Sequence, residues 1–261
     1  MKRIDQLQGD VHITPADSRE PKQKIKRLEI NEAERVLGIR QALNGQYQTE
    51  YEYRRKQSNI LAGKLSRRAP GRVGAEMIYQ QRWRPAITYC TPVANLTKSQ
   101  CDKIQSPFYQ VLLPMMGFNR HMPRAVIFGP KWYGGRGIMD LYTETNIQHI
   151  DTITRHLRYG TTCGNAALIS AEVYQVFLGI ELPFLESNAT KYLHRDKSQW
   201  LDYVWEFCTK SDLTIKLSQV WNQKKQFPRD AALMKILYET EGIPTSLAKS
   251  INRCRLWLKV K

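Results

Sequence analysis

Over most of the chain, apolar residues recur at helical spacing. From Gln46 to Arg68, Tyr47, Tyr51, Ser58, Leu61 and Leu65 return every three to seven residues, which predicts one long helix with an inward face. Ala69-Pro70-Gly71 ends it, and Val73 to Arg84 forms the next helix, which Pro85 should stop. Pro85 to Pro92 then reads as an extended, mostly apolar crossing. Thr97-Lys-Ser-Gln100 is a capping box. It should open a helix with Cys101, Ile104, Phe108, Val111 and Leu112 inward and a kink at Pro107, so that Ile87, Ile104 and Phe108 belong to the core. Further helices are expected over 139–158 and 165–178, the second ending at Gly179 with Pro183 beyond. Trp200, Leu201, Val204, Trp205 and Phe207 are too many for one narrow stripe, so a helix over 198–208 should be buried on two sides. Leu213, Ile215 and Leu217, followed by Trp221, interleave with Thr214, Lys216 and Ser218, which predicts a strand. Two helices near 229–240 and 245–259 close the chain.

Before Gln46 the pattern shortens. Val11–Ile13, Ile25–Leu28 and Val36–Ile39 are candidate strands, punctuated by Pro15, Pro21 and an Asn44-Gly45 turn. The expected fold class is therefore α+β, predominantly α. It divides into a small β region over 1–45, a helical domain over 46–160 and a mainly helical region over 161–261.

Charge changes this picture most. The 261 residues carry a formal net charge of +16, which calls for an anionic partner, nucleic acid before all others. No segment approaches the roughly 18 apolar residues a membrane span needs. The N-terminal Met1 to Gln6 lacks a signal-peptide core, so an intracellular location is expected. The charge is also placed. Arg54, Arg55, Lys56, Lys64, Arg67, Arg68 and Arg72 follow one another with no acidic residue between them. On the helical wheel Tyr53, Lys56, Ile60, Lys64 and Arg67 share a wedge of about 80°. A solvated face usually mixes signs; a one-signed stripe with a tyrosine suits phosphate contact, the ring lying against sugar or base. Arg82 and Arg84 flank Trp83. Arg120, Arg124, Lys131 and Arg136 gather with Asn119, His121, Trp132 and Tyr133 in a loop rich in glycine and proline, where arginine forks can follow a backbone or serve as helix caps. That loop fits neither a P-loop nor a GxGxxG pattern.

Little else points to chemistry. Five widely spaced cysteines without a C-x-x-C pair suit reduced thiols. His149, His156 and Cys163 recur at sevens, but Gly160 interrupts the helix they would share, which favours a structural reading over a metal site. Cys90 and Cys163 lack any nucleophile signature, and His121 and Asp140 form no family pattern.

The order Tyr79-Gln-Gln-Arg82-Trp83-Arg84-Pro85-Ala-Ile-Thr-Tyr89, then Leu96 to Gln105, then Gly117-Phe-Asn-Arg-His121-Met-Pro-Arg124, then Tyr133-Gly-Gly-Arg-Gly137-Ile138, resembles the segment that follows the polymerase palm in reverse transcriptases of non-LTR retrotransposons. Arg35-Val-Leu-Gly38-Ile39 looks like the short strand that closes the palm there. The resemblance runs from about Ile25 to Arg158 and, more loosely, to Ile251–Leu256. It implies a thumb-and-connection segment preceded by a β remnant of the palm, gripping an RNA and DNA template–primer duplex through Tyr53, Lys56, Lys64, Arg67, Arg68, Arg72, Arg82, Arg84, Arg120, Arg124 and Arg136. The palm and fingers of the same polymerase are further implied partners. Polymerase chemistry needs paired carboxylates holding two metal ions about 4 Å apart, in this family within a (Tyr/Phe)-x-Asp-Asp turn. No two acidic residues of this chain are adjacent. A divalent metal is thus implied only in the palm, and the chain is expected to bind without catalysing. The alternative is a stand-alone nucleic-acid-binding or adaptor protein derived from such an element. An in-frame Asp-Asp turn just upstream of Met1 would separate the two.

Overall fold

The computed structural model describes residues 28–178, 184–192 and 200–216, with short pieces at 12–13, 23–24, 242 and 244. The fold is α+β and predominantly α. Contacts group Met1–Tyr53 and Arg54–Lys261 into two units, the division falling inside one continuous helix.

In the first unit, β1 (His12–Ile13) and β2 (Gln23–Lys24) pair antiparallel, as do β3 (Ala33–Val36) and β4 (Ile39–Ala42). Val36–Ile39 is therefore not a strand but the reversal of a hairpin. Val36 faces Ile39 in register, and Leu37 and Gly38 take φ of 49° and 91°. Two successive positive φ values make the two-residue turn whose twist suits a hairpin. Glycine supplies the second at no steric cost, while Leu37 stands almost wholly in solvent. Asn44-Gly45 is a turn as expected, closed by the Gly45 N–H on the Ala42 carbonyl at 3.0 Å. Of the expected strand Ile25–Leu28, residues 25–27 lie outside the described residues, and Leu28 is in no strand.

Helix α1 (Gln48–Arg68) opens with Glu50 in its first turn and closes with Arg67 and Arg68 in its last, each sign favoured by the helix dipole at that end. Ala69 at φ 41° then precedes Pro70, which excludes the helical conformation for the residue before it. α2 (Gly71–Ile78) follows. Pro85 does not stop the chain's helical course. Over Tyr79–Trp83 the helix widens, and the Arg84 N–H reaches back five residues to the Tyr79 carbonyl. That wider turn makes room for a ring that would collide with the carbonyl four residues back. Helix α3 (Arg84–Thr88) resumes, so Pro85–Thr88 is helical rather than extended.

The widened turn aims Tyr79 and Trp83 inward. Trp83 is fully buried, stacked on Phe108 at 4.9 Å and on Tyr79 at 5.8 Å, with Tyr109 tilted against it at 5.2 Å. Its Nε1–H donates to Ser58 Oγ (2.9 Å), which donates in turn to the Ile104 carbonyl (2.6 Å). One chain of hydrogen bonds thus ties α1, the widened turn and α4 (Lys98–Met115) together. α4 starts with the capping box at Thr97 and Gln100, buries Cys101, Ile104, Phe108 and Leu112, and continues through Pro107 and Pro114. Ile87 is fully buried too.

Beyond a short α5 (Arg124–Phe128), α6 (Leu141–Arg158) is capped by Asp140, which accepts from the Thr143 N–H at 3.0 Å. Buried Gln105 joins α4 to this cap, donating to Asp140 (3.0 Å) and accepting from the Leu141 N–H (2.8 Å). α7 (Thr162–Leu178) and α8 (Trp200–Lys210) complete a second apolar cluster with α6 around Ile153, Leu157, Tyr174, Leu201, Val204 and Trp205. α8 is buried on both sides, as its crowding of large residues requires. Leu213–Lys216 form no strand. Asp212 turns out of the helix at φ 52°, and the Leu213 N–H folds back on the Cys208 carbonyl at 2.8 Å, ending α8 instead of opening a ladder. The rest of that expected strand, Gly179 and Pro183, and the helices near 229–240 and 245–259 lie outside the described residues.

His149 on α6 is buried, its Nδ1 without a hydrogen-bond partner. Burial pushes its pKa down from 6.5 to about 4, a contact with the Thr91 backbone opposing in part. Between those values the unfolded chain takes up the proton and the folded chain does not. Stability is complete above about pH 6.5 and falls as pH drops to 4, by a total on the order of 3 kcal/mol. Urea midpoints measured across that range should decline for the native chain, and this part of the decline should vanish in His149→Phe.

Candidate nucleic-acid interface

The inward and outward faces of α1 separate cleanly along its length. Tyr51, Arg54, Ser58, Ala62 and Leu65 are buried; Lys56, Ile60, Lys64 and Arg67 are exposed, centred about 165° away around the cylinder. Arg55 and Arg68 are exposed beside them. Among the described residues, no carboxylate lies within ion-pair distance of Arg55, Lys56, Lys64, Arg67 or Arg68. The polar contact of Arg67 is a weak one, its Nε–H to the Gly63 carbonyl of the same helix at 3.3 Å.

Arg54 departs from this set. It is 4 % exposed, and its guanidinium donates to the Ala86 carbonyl on α3 and lies 5.8 Å from the Tyr89 ring centre. It is a strut between helices, not part of the cationic surface. In the first unit, Tyr53 is also engaged. Arg40 stacks on its ring at 3.6 Å while pairing with buried Glu50 at 3.6 Å, and Glu50 accepts the Arg40 N–H at 2.8 Å. One face of Tyr53 is thus covered by a guanidinium, which corrects the expectation of a ring open to sugar or base.

Beyond α1 the cationic residues fall into two classes. Arg72 and Arg136 are exposed and converge from separate segments on one ring, their guanidiniums 5.6 and 4.2 Å from the centre of Phe118. Two like charges stand beside one aromatic ring, and among the described residues neither has a carboxylate at ion-pair distance. Arg82 and Arg124 are exposed and have no ion pair among the described residues, and the exposed Arg120 donates from Nε to His121 Nε2 at 3.0 Å. Arg84, by contrast, pairs with Glu144 of α6 at 3.9 Å and is half-buried, so it stabilises the bundle before it can hold a phosphate. Lys131 similarly reaches Glu76 of α2 at 3.9 Å, though both ends stay well exposed.

The loop after α5 is a rigid object. The Arg136, Gly137 and Ile138 N–H groups donate to the carbonyls of Val126, Gly129 and Ile127 at 2.9, 2.8 and 3.1 Å. Its base is fixed by buried Tyr79 and Tyr109, which take the N–H and the carbonyl of Met139 at 2.9 and 2.5 Å. Burial holds both phenols protonated, with pKa values raised above the usual tyrosine range. Asn119 caps the turn below, accepting from the His121 N–H at 2.9 Å.

The same geometry engages three of the groups that sequence alone left as chemical candidates, while the fourth, Cys163, is exposed. Cys90 is buried and donates to the Ile87 carbonyl; Asp140 caps α6; His121 is bonded to Arg120. Among the described residues no cluster of three His, Cys, Asp or Glu side chains is placed to hold a metal ion. Also among them, no helix is long and apolar enough to cross a membrane. The arrangement leaves exposed lysines and arginines on α1 with no carboxylate at ion-pair distance among the described residues. The roles of Phe118 as a shared platform and of Arg54 as a strut had no signal in the sequence, since both depend on segments distant along the chain. Compared with protein-family models, with curated proteins and with solved structures, the chain finds no match.

Proposed function

We propose that the unit beginning at Arg54 grips a nucleic-acid duplex by its sugar–phosphate backbone, as the thumb-like segment of a reverse transcriptase of the non-LTR retrotransposon type, with the metal-binding carboxylates carried elsewhere. The observation that carries this reading is the outward face of α1. Lys56, Lys64, Arg67 and Arg68 stand on it free of carboxylates among the described residues, and Arg72 and Arg136 are paired on Phe118. A near-A-form RNA–DNA hybrid offers a helix its shallow minor groove and backbone rather than base edges. A sequence-independent grip is what such a substrate requires, and exposed lysines and arginines on a rigid helix supply it. The order of motifs from Tyr79 to Ile138 supports the polymerase context, and the absence of adjacent carboxylates separates grip from chemistry.

Reversing Lys56, Lys64 and Arg67 to glutamate tests the grip. All three are exposed, so the fold should persist. Affinity for hybrid duplexes should fall on the order of 10²-fold, alike across sequences, and the slope of log affinity against log salt should shrink by about 2 to 3. An unchanged salt slope would remove α1 from the interface.

A further inference from the structure

The loop after α5 presents two adjacent aromatic rings to solvent. Trp132 is 81 % exposed and Tyr133 84 %. They lie in a tight 3-10 turn, Lys131–Tyr133, between Pro130 and Gly134. The turn is closed by the N–H groups of Tyr133 and Gly135 on the Pro130 carbonyl (3.1 and 3.0 Å) and of Gly134 on the Lys131 carbonyl (3.1 Å). Large aromatic rings gain most from burial, so holding two of them outward forgoes a considerable stabilisation. The loop's cross-bonds hold the turn in place, and the long, exposed Lys131–Glu76 pair adds little to them. The rings meet edge to face, 6.2 Å between centres at 60°, an arrangement that covers at most one of their four faces.

Their surroundings select the occupant. From Lys103 to Met139 the chain contains no acidic residue, while Arg120, Arg124, Lys131 and Arg136 lie in the same stretch, and in space Glu76 of α2 comes to 3.9 Å from Lys131. An apolar protein surface would ask for a larger apolar patch without this charge, whereas a flat aromatic group attached to phosphate satisfies both features. We propose that Trp132 and Tyr133 form a stacking site for an unpaired base, with the exposed Arg136 of the same loop for the adjoining phosphate. The bound species is then a duplex that ends in a single-stranded overhang, not a blunt duplex alone. This rests on the backbone grip proposed for α1 and adds to it a preference for a junction. The rigid turn favours it, because the ordering cost of a stacking platform has been met in folding.

The full chain is titrated with two probes of the same sequence, a blunt RNA–DNA hybrid and that hybrid with a short single-stranded overhang carrying 2-aminopurine at its first unpaired position. The overhang should raise affinity about 10-fold and its fluorescence should quench on binding. Trp132→Ala with Tyr133→Ala should abolish both effects and leave blunt-duplex affinity and its salt slope as in the native chain. Trp132→Phe with Tyr133→Phe, which keeps two ring faces, should restore most of the preference. Equal affinity of the native chain for both probes, or a preference that survives loss of both rings, overturns the stacking site while leaving the grip intact. Binding of neither probe overturns the grip and the stacking site together. Ring-dependent binding to anionic phospholipid vesicles, with no ring dependence on either probe, assigns the tip to a membrane surface and likewise overturns the proposal.

Discussion

Trp83→Ala should cost about 3–5 kcal/mol, a large part of the stability of an ordinary domain. Trp83 has no exposed surface, and its indole is the centre at which Tyr79, Phe108 and Tyr109 meet. Truncation leaves a cavity the size of an indole among aromatic rings that belong to different helices and cannot all collapse into it. It also deprives Ser58 Oγ of its donor, although that hydroxyl keeps its own bond to the Ile104 carbonyl. Trp83→Phe separates the two effects. A phenyl ring retains the stack on Phe108 and loses the N–H, so its cost should be nearer 1–2 kcal/mol. Urea denaturation followed by circular dichroism measures both: the midpoint should fall at constant slope, in the order native, Phe, Ala. Equal midpoints for the two variants would mean that the hydrogen-bond chain, and not the aromatic stack, holds α1 against α4. The consequence reaches the proposed grip, because this chain of contacts sets the direction in which Lys56, Lys64 and Arg67 face.

Such a centre shows why some of this protein can be read from its sequence and some cannot. The span of α1, the capping box at Thr97 and the two-sided burial of α8 are written in residues a few positions apart, where periodicity and capping chemistry act. The stripe Lys56, Ile60, Lys64 and Arg67 is legible for the same reason. What is not legible depends on tertiary partners. Arg54 belongs to the basic run by sequence, yet its guanidinium is spent on a carbonyl 32 residues away. That carbonyl lies just past Pro85, in a helical segment that follows the widened turn. Arg84 is taken by Glu144 on a helix that no local pattern links to it. The Leu37-Gly38 reversal escapes notice because leucine rarely takes positive φ, so Val36–Ile39 looks like an apolar strand. Phe118 resembles any loop aromatic until Arg72 and Arg136 arrive from either side.

Gly135→Ala should open the loop that carries Trp132 and Tyr133. A Cβ at Gly135 would sit 2.1 Å from the Gly129 carbonyl oxygen and 2.2 Å from its carbon, both backbone atoms that cannot rotate away. That same oxygen accepts the Gly137 N–H at 2.8 Å, so relieving the clash breaks the bond that closes the loop. A loss of about 3 kcal/mol is expected, at the upper end for one added methyl group. Hydrogen exchange should locate it: the amides of Arg136, Gly137 and Ile138 should exchange faster, while those along α1 and α4 keep their protection. Gly134→Ala is the control. Gly134 has φ 80° with nothing within 4 Å of its Cβ position, so the change costs only the conformational penalty of about 1–2 kcal/mol and leaves the cross-bonds in place. If the rigid turn is what presents the two rings, Gly135→Ala should lose the preference for an overhang and Gly134→Ala should largely keep it. On the proposed grip, blunt-duplex affinity should be kept in Gly134→Ala and should lose at most the share of Arg136 in Gly135→Ala. Retained protection at Gly137 in the Gly135→Ala chain would show that the close approach of Gly129 and Gly135 is not what holds the tip in place.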